Sequence, residues 1–251
     1  MKEEIILGLD ISTKTIGVTL FKNDESEHGE IIKMSHISPS VKNKLPKIEQ
    51  LFLKKKIFKN EFLNQYKTIG INRVIIEAPL LRSQNVNTIA TLLQFNGMIS
   101  DCVYEELGIV PEYISSYDAR RYAFPDLMSV RKYNKKGEIY DLKHFKKAIK
   151  ENNLVLFGNY PWDIDKKQIL LSKVADIYKN IEFIFDKYDN LKQENFDATD
   201  SLVAILGKLS YDKYSKCDFV IDDSFINEDK KEIKYILHFG DKEYTKILAL
   251  E

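Results

Sequence analysis

Cysteine is nearly absent: Cys102 and Cys217 are the only two in 251 residues. A disulfide framework is therefore excluded, and the pair lies too far apart for a Cys-x-x-Cys metal knuckle, so both read as reduced, inert thiols. Histidine is scarce as well, and His28, His36, His144 and His238 show no ligand spacing. With ten glycines and six prolines, the first two hundred residues hold no Pro/Gly/Ser linker and read as continuous regular structure. No apolar run approaches the roughly 18 residues that a membrane span needs, and the start, MKEEIILGLD, puts acids where a secretory signal needs bases. A soluble, cytoplasmic protein is expected. Net charge is absent too: 38 basic side chains face 38 acidic ones, which argues against a polycation that coats DNA or an anionic membrane.

The neutral average hides a gradient. Residues 1–40 carry a balance of −3, residues 41–150 of +9 and residues 151–251 of −6. A basic middle between acidic ends can face a polyanion, although a Lys-rich stretch also serves as an ordinary solvated helix face. Glu4–Asp10, Thr15–Phe21 and Glu30–His36 read as strands with short connections, hence an antiparallel three-stranded meander. Residues 44–68 show near-helical apolar spacing, with a break near Lys59–Asn60. A strand at Arg73–Glu77, a polar loop at Ala78–Asn87 and an apolar helix at Thr88–Leu107, stopped by Gly108, follow. A strand at Val110–Ser115 and a short helix or turn at Tyr117–Tyr122 lead into residues 125–160, the least readable part. Helices are expected at Lys166–Tyr188 and Asp197–Leu209, and a hairpin at Lys234–Phe239 and Tyr244–Leu248 around Gly240–Asp241. The order gives an α/β fold, a mixed sheet flanked by helices, with a C-terminal β-hairpin extension. Residues 1–210 read as one domain with a basic insertion at about 125–160, and residues 211–251 as an extension.

Four acids stand out. Asp10 and Glu77 directly follow the apolar runs IILGL and VII, where a charge is costly unless a partner, hydrogen bonds or a metal compensates. Ligands of such sheets gather beyond the strand ends, where these side chains project. Asp197 and Asp200, in FDATDSLVAIL, are three apart and can share one helix face. Taken singly, Asp197 reads as a helix N-cap, Asp10 as a turn acid and Glu77 as the partner of a surface lysine. Together they form a hard oxygen site with no nearby His or Cys, which suits Mg²⁺ or Mn²⁺ and not Zn²⁺. Two such ions about 4 Å apart can activate a water and stabilise a leaving oxygen in phosphodiester hydrolysis.

The segments ILGLDISTKTIGVTLF, VIIEAPL and FDATDSLVAIL resemble the three acidic motifs of RuvC-type Holliday junction resolvases, within the RNase H-like nuclease superfamily. The resemblance covers about residues 4–210, discontinuously. It implies an RNase H-like sheet and a structure-selective endonuclease, acting in DNA recombination and repair as a homodimer on four-way junctions. It also implies that Asp10, Glu77, Asp197 and Asp200 hold two Mg²⁺ ions, and that either Lys166 or Lys167, in DKKQILLSK, contacts the scissile phosphate. In bacterial members an aromatic wedge stands three residues after the second acid; here that position is Leu80. The stretch 125–160 and the tail have no counterpart, which points to a phage-type or divergent member working in a bacterial or phage-infected host cytoplasm.

An apolar Leu80 can still unstack bases, while Arg82, Ser83, Gln84 and Asn85 offer contacts to phosphate or base edges. Arg120 and Arg121, between Tyr117 and Tyr122, suit phosphate and base stacking. Lys132, Lys135 and Lys136 suit a backbone beside the active site. Three other readings compete: a nuclease of the same superfamily acting on flaps or RNA–DNA hybrids, an actin-like or sugar-kinase-type phosphotransferase, and a noncatalytic junction-binding protein. The second lacks a glycine-rich adenosine motif, and the third leaves four carboxylates beside DNA phosphates unexplained.

Overall fold

A computed structural model describes residues 3–24, 26, 28–42, 44–80, 85–227, 229 and 231–250. In chain order it contains β1 (Glu4–Ile11), β2 (Ile16–Asn23), β3 (Glu30–Ile37), α1 (Lys47–Phe58), a π turn at Lys59–Leu63, the one-turn α2 (Asn64–Tyr66), a 3-10 turn at Lys67–Ile69 and β4 (Ile71–Glu77). Then come α3 (Val86–Leu107), β5 (Glu112–Ile114), α4 (Ser116–Ala123), a 3-10 turn at Pro125–Leu127, β6 (Met128–Val130), α5 (Leu142–Lys150) and β7 (Leu154–Leu156). The chain closes with α6 (Lys166–Ile177), α7 (Gln193–Tyr214), β8 (Phe219–Asn227), β9 (Glu232–Phe239) and β10 (Lys242–Ala249). It divides into two units: Met1–Ala119 with Lys167–Lys208, and Arg120–Lys166 with Leu209–Glu251. The basic stretch around 125–160 and the C-terminal tail thus share one unit. Among the described residues, no helix is long and apolar enough to cross a membrane.

The first unit is built on a five-stranded sheet of order β3-β2-β1-β4-β5. The meander β1-β2-β3 is antiparallel, and β4 joins β1 in parallel after the crossover through α1. Strand β5 extends the parallel part. Alternate residues of a strand face opposite sides, and both sides of β1 are covered, which explains its nearly unbroken apolar run. Leu7, Leu9, Ile11, Ile16, Val18, Leu20, Val74 and Ile76 pack with Leu51, Phe58, Phe62, Leu63, Phe95, Ile99 and Val103 of the helical layer. Each such side chain contributes about 1.5–3 kcal/mol when fully buried. The expected helix break near Lys59 is the π turn; one extra residue in the turn re-phases the stripe, so that Phe58 and Phe62 stack at 6.1 Å with both rings buried.

On the opposite side, Glu112 of β5 receives Arg73 Nε of β4 at 2.7 Å and Lys208 Nζ of α7 at 2.7 Å. Arg73 above all, and then Lys208, hold its carboxyl at about 2, below the usual 4.5. A depressed carboxylate adds stability above its unfolded value and loses it as pH falls towards the folded one. Glu112→Gln should therefore be less stable than the parent at pH 6, and the gap should close between pH 4.5 and 2 in urea titrations.

Two helices differ from the sequence reading. The helix expected at Lys166–Tyr188 ends at Ile177 and cannot run through Tyr188, where Asp186 accepts from Tyr188 N at 2.7 Å and Asn190 N at 3.0 Å and closes a turn inside the Phe185–Leu191 bridge. The helix expected to start at Asp197 begins at Gln193 and runs to Tyr214, so Asp197 lies a full turn inside and is not a cap. The second unit holds the antiparallel sheet β10-β9-β8 and the pair β6-β7. The expected hairpin is β9-β10, and β8 adds a third strand. Its core is aromatic: Phe219 stacks on Phe239 at 4.2 Å, and the buried Tyr235 hydroxyl accepts from Val130 N at 3.1 Å.

Candidate active site

Strands β1 and β4 run parallel with Leu9 beside Ile76, so Asp10 and Glu77 each stand one residue further on, at the C-terminal ends of neighbouring strands. Leu7, Leu9, Val74 and Ile76 serve the core under α1 and α3. By strand alternation, Gly8, Asp10, Ile75 and Glu77 face the other side. That side is where α7 lies. A Cβ on Gly8 would meet Ser201 O at 2.4 Å, and one on Gly17 would meet Asp197 O at 2.0 Å. Thr19 Oγ1 bonds Ser201 Oγ at 2.8 Å. Gly17 is the residue paired with Asp10 across the β1–β2 ladder, so the peptide of Asp197 rests on the strand position opposite Asp10. Glycine is required there by contact distance.

Asp197 and Asp200 are 7% and 4% exposed. Burial of two carboxylates needs compensation, and the structure supplies it from three elements. Thr15 Oγ1, at the end of the β1–β2 turn, donates to Asp197 Oδ2 at 2.7 Å, and Gln193 Nε2 donates to Oδ1 at 3.3 Å. Lys167 Nζ of α6 lies 3.5 Å from Asp197 Oδ1 and 3.2 Å from Asp200 Oδ2. Burial pulls the Lys167 ammonium down, but Asp200, Asp197 and Asp10 together outweigh it and hold its pKa above the ordinary lysine value. Lys167 is therefore a cation at neutral pH, and Asp10 lies within its electrostatic reach. Glu77 Oε2 is sealed from solvent.

Among the described residues, no three His, Cys, Asp or Glu side chains stand within reach of one ion. The four acids are nonetheless a hard, all-oxygen donor set on one side of the sheet, and the charge opposite Asp197 and Asp200 comes from an ammonium. The donor chemistry fits Mg²⁺ or Mn²⁺.

Of the two lysines left open by the sequence, Lys167 is the one at the acids; Lys166 Nζ lies 5.9 Å from the Phe157 ring centroid in the second unit. Leu80 is 66% exposed. Asn85 caps α3, accepting from Asn87 N at 3.0 Å and Thr88 N at 3.3 Å. Arg82, Ser83 and Gln84 lie outside the described residues. Arg120 and Arg121 open the second unit, and the Arg121 guanidinium lies 5.0 Å from the ring centroids of both Tyr122 and Phe219. Lys132, Lys135 and Lys136 belong to that unit as well. Thr15 and Gln193 join Asp197 without being expected from the sequence. Thr15 is hidden in a β-branched run, whereas Gln193 carries a usable signal, four residues before Asp197 on one helix face.

No protein-family model matches the chain, and no curated protein sequence matches it. Among solved structures, Thermus thermophilus RuvC in complex with a Holliday junction substrate aligns with a TM-score of 0.51 at 10% identity, over 83% of this chain and 95% of its own. The yeast mitochondrial Holliday junction resolvase Ydc2 aligns at 0.45 and 14% identity, over 84% and 79%. The Aquifex aeolicus member of the Ppx/GppA family aligns at 0.35 and 12% identity, over 99% of this chain and 52% of that one. The first alignment shows the fold, and the five-stranded mixed sheet flanked by helices in this chain is of the RNase H-like kind.

Proposed function

We propose that this protein is a divalent-metal-dependent endonuclease that hydrolyses phosphodiester bonds in four-way or otherwise branched DNA. The observation that carries the reading is that Asp10, Glu77, Asp197 and Asp200 face one side of the sheet, with Lys167 Nζ 3.2 Å from Asp200 and 3.5 Å from Asp197. Asp10, Glu77, Asp197 and Asp200 would hold the ions, two Mg²⁺ or in their place Mn²⁺. When bound, the ions supply an activated water and neutralise charge on the phosphate. Thr15 and Gln193 fix the orientation of Asp197, and Lys167 offers its ammonium to the scissile phosphate. Leu80 presents an apolar side chain that can wedge between bases, and opposed nicks call for a homodimer with two sites. The likeness of fold to a junction-bound RuvC supports a branched substrate, and the proposed setting is the cytoplasm of a bacterium or infected host.

Cleavage of an end-labelled four-way junction should require Mg²⁺ and stop with excess chelator; equal cleavage in both would refute the reading. A second expectation concerns Lys167, whose side chain is 38% exposed. Lys167→Ala should lower stability in chelator by about 1 kcal/mol, after allowance for solvent screening. Added Mg²⁺ should raise its melting temperature more than that of the parent, since the ion then replaces the missing charge. An equal rise in both proteins would show that Lys167 and the ion do not share these carboxylates.

A further inference from the structure

The second unit carries an aromatic and basic cluster that the carboxylate site does not use. Residues 131–136 read Arg-Lys-Tyr-Asn-Lys-Lys, four cations in six positions. Their backbone is fixed: the Tyr133–Ile139 bridge flanks a turn in which Asn134 Oδ1 accepts from Lys136 N at 2.8 Å and Glu138 N at 3.1 Å. Trp162, the one tryptophan in the chain, lies against this turn and is 47% exposed. Arg131 Cζ lies 4.8 Å and Lys135 Nζ 5.7 Å from its ring centroid. The segment leading to Trp162 is tied down as well. Phe157 N donates to Leu127 O at 2.8 Å, Lys132 N donates to Gly158 O at 2.7 Å, and Ser129 Oγ donates to Asn159 Oδ1. Phe157 accepts a left-handed φ of 61° to make that path.

Tryptophan is highly buried on average, whereas Trp162 is about half exposed and stands beside two cations on a fixed backbone. Nearby counter-charges are Glu138, Asp163 and Asp165, yet residues 120–166 as a whole carry 11 Lys/Arg against 6 Asp/Glu. Alternating bases and phosphates match such a surface, because every base has a face to stack and every phosphate a charge to pair. A duplex hides its base faces. We propose that Trp162, with Arg131, Lys132, Lys135 and Lys136, is a binding site for an unpaired DNA strand. The choice of DNA rests on the nuclease reading above; the stacking chemistry stands apart from it.

The test uses the full-length protein in chelator, so that no cleavage intervenes, and reads Trp162 emission, which no second indole contaminates. A thymidylate oligomer about 15 nucleotides long should quench it, and a blunt duplex of equal length should not. Trp162→Leu, followed by anisotropy of a labelled oligomer, should bind roughly 10-fold more weakly. Arg131→Ala with Lys135→Ala should reduce the salt slope of binding by about 1.4, since each cation that pairs with a single-strand phosphate contributes ~0.7. Trp162→Phe keeps a stacking ring and should bind nearly as the parent does, which separates stacking from misfolding. Binding without quenching, equal quenching by duplex, an unchanged salt slope, or tighter binding of uridylate than of thymidylate would each overturn the proposal. Quenching by a protein that cuts nothing would keep this site and remove the nuclease reading, and a junction nuclease without quenching would do the reverse.

Discussion

Asp10→Asn should reduce cleavage of a four-way junction at least about 10³-fold, a loss of roughly 4 kcal/mol of transition-state stabilisation, while junction binding holds or tightens. The substitution keeps shape and volume, so the β1 ladder that pairs Asp10 with Gly17 has no reason to shift. It removes one negative charge from the surface proposed to accept phosphate, so repulsion of DNA should fall as chemistry is lost. Separate assays of binding in chelator and of cleavage in Mg²⁺ read the two effects independently. Full activity in the variant would remove Asp10 from the site.

Gly17→Ala should cost about 3 kcal/mol of unfolding free energy and abolish cleavage with it. The new methyl group would sit 2.0 Å from Asp197 O and 2.9 Å from Ala198 N, both backbone atoms of α7, so no side chain can turn aside to make room. Helix α7 has to lift from β2, and Asp197 and Asp200 move with it. Gly97 provides the contrast. It lies within α3, and a Cβ there meets nothing within 4 Å. Gly97→Ala should leave cleavage intact and add up to about 1 kcal/mol, from better helix propensity and a less flexible unfolded chain. Urea unfolding of both variants tests the pair. Parental stability in Gly17→Ala would mean that α7 does not rest on the strand as described.

The strand-end positions of Asp10 and Glu77 were legible because a carboxylate there breaks an apolar run, and the strands themselves are plain in EIILGLDI and IGVTLFKN. The choice between Lys166 and Lys167 was not. Neighbouring residues on a helix point about 100° apart, and only the packing of α6 decides which one meets Asp197 and Asp200. Thr15 was invisible for a related reason, since its partner lies 182 residues away. The start of α7 was misplaced because Asp197 looks like a cap, whereas Asn195, whose side chain bonds Ile184 N at 2.8 Å and Ile184 O at 2.7 Å, ties the first turn to the loop before it. The joining of residues 120–166 with the tail into one unit rests on contacts such as Tyr235 with Ser129 and Val130, more than a hundred residues apart in sequence. No local pattern announces such contacts.

The most direct measurement is cleavage in Mg²⁺ of a labelled four-way junction beside duplex, flap, single-stranded DNA and an RNA–DNA hybrid, with Asp10→Asn as the control. Paired, symmetric nicks confined to the branched substrate, and absent with the variant, are the expected result. Cleavage of none of these substrates, or cutting that survives Asp10→Asn, would contradict the assignment of the four carboxylates as a nuclease centre.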